Sequence, residues 1–153
     1  MELKKWTIKR MDIEDLDEVL FIEASSSLTP WSKKMFMGET LNPSGYCFII
    51  KFGENSEHHQ VIGFICFRII EDESELLNIC VHSHYRQLGI GKKMMQFYID
   101  FCRKKEIKTF YLDVNFTNQP AIQLYQLFSY QSVGVRQKFY QGKFDALLMM
   151  KKG

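Results

Sequence analysis

The sequence is notable first for what it lacks. No apolar run approaches the ~18 residues that a membrane-spanning helix requires, and the N-terminus, MELKKWTIKR, has no apolar block of the secretory kind. These two absences make the cytosol the expected compartment. A net charge of only +2 over 153 residues gives no argument for nucleic acid or an anionic membrane as partner. Cysteine pairs are missing too. Cys47, Cys66, Cys80 and Cys102 are far apart and each lies in an apolar segment, the pattern of buried, reduced thiols rather than of a zinc site. His82 and His84 flank Ser83, but no cysteine or carboxylate stands at ligand spacing beside them. They read as a solvated loop, and no metal is expected. There is no internal repeat, low-complexity tract or linker, so residues 1–153 are expected to form a single domain with room for a core.

What is present is a sequence of alternating periods. LKKWTIKR alternates as a strand through Leu3, Trp6 and Ile8. Asp12 can cap a helix with apolar positions Ile13, Leu16, Val19 and Leu20, and the acids Glu14, Asp15, Asp17 and Glu18 crowd its first turns, where the helix dipole favours them. Ser32 can cap a short second helix carrying Met35 and Phe36, and NPSG makes a turn. YCFIIKF, VIGFICFRII and ELLNICV read as three strands, with His58 and His59 at the tip of the first connection. From Gly91 the spacing becomes helical through Met94, Met95, Tyr98, Phe101 and Cys102, and RKKE closes that helix. TFYLDV is a strand, Pro120 suits a first helical turn, and Ala121, Leu124, Tyr125 and Phe128 form one helix face. QSVGVRQKFY and DALLMMK close the chain as two strands. The expected order is β-α-α-β-β-β-α-β-α-β-β, a mixed sheet with helices on it.

One loop carries chemistry. YRQLGIGKKMM places Gly89 and Gly91 among Arg86, Lys92 and Lys93, where a strand gives way to a helix. Glycines let the backbone expose its N–H groups closely, and a helix N-terminus favours an anion. A P-loop is excluded because Gly91-Lys92 is followed by Lys93, and Arg86 stands where its first glycine belongs. A dinucleotide fingerprint lacks its third glycine, which would fall at Met94. The remaining pattern, Arg/Gln-x-x-Gly-x-Gly/Ala, is met at every position from Arg86 to Gly91.

This loop resembles motif A of the GNAT acetyltransferases. The wider chain is similar to their RimI-type branch, which acetylates the N-terminal alanine of a small-subunit ribosomal protein. PWSKKMF, ELLNICVHSHYRQLGIGKKMM, FYLDVNFTNQPAIQLYQLFSY and RQKFYQGKFDALLMMK carry the likeness, in the family's order and over nearly the whole chain. The resemblance implies the GNAT fold, a mixed α/β (α+β) architecture with a central, mostly antiparallel sheet flanked by helices. It implies acetyl-CoA as co-substrate: Ile79, Cys80 and Val81 pairing with pantetheine, Arg86, Gln87, Leu88, Gly89, Ile90, Gly91 and Lys92 cradling the diphosphate, and Asn118 bonding the pantetheine arm or simply capping the helix at Pro120.

It also implies that Tyr125 is the general acid that protonates the departing thiolate, where a core tyrosine is the bland alternative. The family's base, a glutamate twelve residues before that tyrosine, is Asp113 here, shorter by about 1.5 Å. Glu75 is its rival, and a strand-edge acid paired with a nearby lysine is the non-catalytic reading of Asp113. Trp31, Arg136 and Tyr140, with Phe139, match the walls of the peptide groove. Ser129-Tyr130 replaces the family's Gly-Phe, and Glu106 replaces the glycine usual after the long helix. The expected partner is a protein N-terminus, that of a ribosomal protein, with no nucleic acid or membrane, and the chain is expected to be a monomer or weak dimer. The competing readings are a small-molecule amine acetyltransferase and a non-catalytic acetyl-CoA-binding regulatory module.

Overall fold

The computed structural model of the protein describes residues 6–52 and 60–153. The expected strand start at Leu3 and the hairpin tip at His58 and His59 lie outside the described residues. The elements follow the expected order: β1 (Trp6–Arg10), α1 (Leu16–Ser26), α2 (Lys33–Leu41), β2 (Gly45–Phe52), β3 (Val61–Ile70), β4 (Glu73–Val81), α3 (Ile90–Lys104), β5 (Thr109–Asn115), α4 (Gln119–Leu127), β6 (Gln131–Tyr140) and β7 (Phe144–Lys152). The seven strands form one mostly antiparallel sheet in the order β1-β2-β3-β4-β5-β7-β6. β4 and β5 pair in parallel, Glu75 opposite Tyr111. No helix among the described residues is long and apolar enough to cross a membrane.

The chain divides into two compact units. The first comprises Met1–Phe67 and Asn78–Met94. Its β1 pairs antiparallel with β2, Ile8 opposite Ile50. Asp12 does not cap α1 directly: a 3-10 turn, Ile13–Asp15, intervenes, with Asp12 and Asp15 capping each other's backbone. Asp15 is thereby buried, and Lys9 and Lys51 each come within 3.5 Å of its carboxylate. Ser32 caps α2 as expected, accepting from the Met35 N–H at 3.2 Å. The core of this unit is Val19, Ile22, Phe36, Ile50, Ile62, Phe64 and Phe67. Gly63 lets β3 approach β4, since a Cβ there would meet the Cys80 carbonyl oxygen at 3.0 Å.

The second unit comprises Arg68–Leu77 and Met95–Gly153. Here β5 pairs antiparallel with β7, Asp113 opposite Leu148, and β7 pairs with the edge strand β6, whose register shifts twice. Along β5, Phe110, Leu112 and Val114 are buried while Tyr111, Asp113 and Asn115 turn to the other, more open face, as strand alternation requires. The buried face packs on α3 through Tyr98, edge-on to Phe110, and the Tyr98 hydroxyl lies 2.6 Å from Ser74 Oγ. Burial pushes the Tyr98 hydroxyl far above the ordinary phenol range. Such a group is structural rather than acid–base machinery.

Candidate active site

The loop between β4 and α3 belongs to the first unit and is built from the strand outward. After Val81 a 3-10 turn, Ser83–Tyr85, leads to Arg86. The chain then takes the left-handed backbone at Gln87 (φ 62°) and again at Gly89 (φ 82°). At Gly89 that conformation is open to glycine without strain, and a Cβ built there meets nothing within 4 Å, so the loop's outer side is clear. Arg86, Gln87, Leu88, Gly89 and Lys92 are exposed, while Ile90 is buried as the helix's anchor. The Lys93 N–H is the first to bond back, to the Gly89 carbonyl at 3.0 Å. The N–H groups of the preceding turn have no helical partner, the arrangement that suits an anion at a helix start. A diphosphate fits the chemistry of this donor set.

Arg86 is more committed than expected. Its Nε donates to the Val81 carbonyl at 3.2 Å and its Nη2 to Ser26 Oγ at 2.8 Å, so the guanidinium clasps the loop to β4 and α1. His82 also departs from expectation. It is only 6% exposed rather than in a solvated loop. Its Nδ1 accepts from the His84 N–H at 3.0 Å, and its ring packs on Tyr85 and Phe21. Burial, with the neighbouring His84 and Arg86 charges, lowers its pKa and keeps the acceptor nitrogen unprotonated. Among the described residues no group of His, Cys, Asp and Glu is arranged to hold a metal ion.

The strand before the loop presents Ile79, Cys80 and Val81, all half-buried. Cys47, Cys66 and Cys102 are buried as expected, but Cys80 is not fully so. Burial raises its thiol pKa, which opposes a nucleophilic role. Trp31 packs at a tilt against Phe36, ring centroids 5.0 Å apart, and Phe36 in turn meets Phe64 edge-on. The Trp31 main-chain N–H donates to Glu23 Oε2 at 2.9 Å. Glu23 stands out only in the folded chain. It is 2% exposed, and the same oxygen accepts from Asn78 Nδ2 at 3.0 Å. Burial raises its pKa, against the pull of these two hydrogen bonds. The signal was present: positions 16, 19, 20 and 23 form the apolar stripe of α1, and a glutamate stands at the last of them.

In the second unit the structure brings Asp113, Arg136 and Tyr140 together. Arg136 Nε lies 3.4 Å from Asp113 Oδ1, and its guanidinium sits over the Phe139 ring at 5.4 Å. The partner of Asp113 is therefore this arginine, not a lysine. Burial raises the Asp113 pKa while Arg136 lowers it, and Tyr140 is pushed up to about 12 by burial and by the Asp113 charge. Glu75 is exposed and pairs in register with Tyr111, two residues before Asp113. The two rival bases thus share the open face of this part of the sheet, Asp113 the more enclosed. Tyr125 is 6% exposed on α4, its ring 5.9 Å from that of Tyr130. Asn118 caps α4, accepting the Ala121 N–H at 3.3 Å through Oδ1. The capping reading of Asn118 therefore holds, and it leaves the amide N–H₂ out of the cap.

A mixed, mostly antiparallel sheet with an Arg-x-x-Gly-x-Gly corner between strand and helix is the architecture of an acyl-CoA-type transferase. Residues 10–130 match the Acetyltransferase (GNAT) family. The putative [ribosomal protein bS18]-alanine N-acetyltransferase of Bacillus subtilis is 31% identical over 95% of this chain and 94% of its own length. The [ribosomal protein bS18]-alanine N-acetyltransferase of Escherichia coli is 27% identical over 94% of this chain and 95% of its own. The crystal structure of the Escherichia coli ribosomal-protein-S18-alanine N-acetyltransferase superposes with a TM-score of 0.84, covering 96% of this chain and 93% of that one. The chain belongs to the GNAT acetyltransferase family.

Proposed function

We propose that the chain transfers acetyl from acetyl-CoA to the N-terminal α-amine of a protein, with the alanine terminus of ribosomal protein bS18 as the acceptor class. The observation that carries the reading is the Arg86–Lys92 corner. Its open Gly89 and the N–H groups of its helix start suit a diphosphate, and it stands in a chain 31% identical to a relative with that acceptor in its name. In this reading the two units serve as one transferase domain, residues 1–153.

The corner holds the diphosphate, and Ile79–Val81 offer strand backbone to the pantetheine arm. The α-amine attacks the thioester carbonyl, the C–S bond breaks, and the departing thiolate takes the Tyr125 proton. The amine's proton passes to Asp113, directly or through water. The demand on that base is small. A free α-amine has pKa ≈ 7.7–8.0, so deprotonating it at pH 7 costs about 1–1.4 kcal/mol, against roughly 4.6 kcal/mol for a lysine side chain. A carboxylate shortened by one methylene and shared with Arg136 is adequate for the first task and poorly suited to the second.

The test is a panel of acceptors with labelled acetyl-CoA: an Ala-starting peptide with the bS18 terminus, the same peptide with a blocked N-terminus and an internal lysine, and small amines. Label on the free α-amine alone is expected. Transfer confined to small amines would replace the acceptor class, and cofactor binding with no transfer to any amine would leave a regulatory module.

A further inference from the structure

We propose that Glu23 is a positioning residue for the acetyl acceptor, holding the Trp31 segment against the thioester end of the cofactor strand. This rests on the reading just given. Glu23 lies on α1 with 2% of its surface exposed, and Oε2 alone accepts both the Trp31 N–H and the Asn78 amide. A carboxylate so buried is unfavourable unless it satisfies its neighbours, and two donors on one ionised oxygen are bonds of the stronger, charge-assisted kind.

The two donors come from elements with different duties. Trp31 leads into α2 in the segment PWSKKMF, which the family resemblance puts on the acceptor side. Asn78 directly precedes Ile79–Val81, the run offered to pantetheine. The diphosphate corner follows the C-terminal end of β4, so a cofactor laid along the strand from that corner carries its thioester toward Asn78, about 10 Å before Val81 at the usual strand rise. One turn further along α1, Ser26 receives Arg86, which also holds the Val81 carbonyl. A single helix face therefore ties the diphosphate loop with Ser26 and the acceptor segment with Glu23. Loss of the Glu23 bonds frees Trp31 from β4 while the loop keeps its own clasp.

The experiment compares Glu23→Ala, Glu23→Gln and Asn78→Ala with the unaltered chain in transfer to the Ala-starting peptide, with acetyl-CoA affinity measured separately by calorimetry. In Glu23→Gln the amide oxygen can still accept both donors, so position is kept and charge is lost. Glu23→Ala is expected to raise the peptide KM about tenfold or more, with kcat and acetyl-CoA affinity within about threefold of wild type. Glu23→Gln is expected to return the KM to within about threefold, and Asn78→Ala to fall between. Trp31→Ala keeps the main-chain N–H that Glu23 accepts and removes only the indole that Glu23 positions, so combined with Glu23→Ala it should cost little more than Trp31→Ala alone.

An unmoved KM in Glu23→Ala, a Gln variant as impaired as the Ala variant, or a common loss of acetyl-CoA affinity overturns the proposal. If Glu23→Ala does not fold, the Gln and Asn78 variants decide: Asn78→Ala raised and Glu23→Gln near wild type supports it, and any other pairing refutes it. An unaltered chain that acetylates no α-amine sinks the underlying reading and this proposal with it. An active chain with unmoved variants sinks this proposal alone.

Discussion

Replacing Arg136 by glutamine tests the site's acid–base logic through a single ion pair. Arg136 Nε stands 3.4 Å from Asp113 Oδ1; the arginine side chain is 54% exposed and the aspartate 13%. At that separation two unit charges attract by about 1.2 kcal/mol in water and about 4.9 kcal/mol at an effective dielectric of 20. The arginine's exposure draws the pair toward the first limit, where exposed pairs are worth about 1 kcal/mol at most. That energy corresponds to a factor of about five in the ratio of ionised to protonated carboxylate. The sign follows from the causes of the shift. Burial holds the Asp113 pKa above its ordinary value and Arg136 opposes that, so removing the cation raises it further. The base is then scarcer at low pH and unaffected once both forms are fully ionised.

The assay is kcat/KM for the Ala-starting peptide from about pH 5 to pH 8, where the titration of the α-amine is common to both enzymes and cancels in the ratio. Relative to wild type, Arg136→Gln should be worse at the acid end than at the alkaline end, by up to about fivefold. In about 1 M salt, where charges are screened beyond about 3 Å, the difference should shrink. Asp113→Asn should flatten the acid limb in both backgrounds. Profiles that stay parallel across the range would refute the coupling, and a flattened limb in Glu75→Gln instead would make Glu75 the base.

Tyr125→Phe removes the phenol while keeping the ring against Tyr130; kcat should fall about a hundredfold with acetyl-CoA affinity unchanged, and an unchanged kcat would strip Tyr125 of its role. Glu106 and Ser129 hold left-handed backbone, at φ 59° and 70°. An L-residue there is disfavoured by about 1–2 kcal/mol and glycine's extra chain entropy returns about 0.5–1, so Glu106→Gly with Ser129→Gly should add about 1–2 kcal/mol to stability. For a chain of this size that raises Tm by about 3–6 °C in calorimetry. A lowered Tm would show that the present side chains repay their strain.

The same two positions show how far the sequence could be read. Both were visible as departures from a family pattern, because a missing glycine is a local fact. Local too were the order of elements, the Ser32 and Asn118 caps and the Arg86–Gly91 loop, each set by short-range spacing. Partnerships made by chain reversal were hidden. Asp113 and Arg136 meet only because β5, β7 and β6 lie side by side, and no periodicity names which cation faces a strand-edge acid. His82 looked like loop because its flanks are polar, yet the turn it caps folds the ring inward against Phe21 and Tyr85. Glu23 hid for the opposite reason: it sits on an apolar stripe, where a glutamate reads as a break in the pattern until its two donors, 8 and 55 residues away, are seen.

The claim beneath all of this is that the β4–α3 corner grips the diphosphate of a coenzyme A thioester. Titration calorimetry of acetyl-CoA into the wild-type chain and into Gly89→Val measures it directly. At φ 82° a branched side chain is strained and fills the clear outer side of the loop. A single exothermic site in the wild type, weakened about tenfold or more in the variant, is the expected result, a difference of at least about 1.4 kcal/mol. No heat from the wild type, or equal affinity in both, would contradict it.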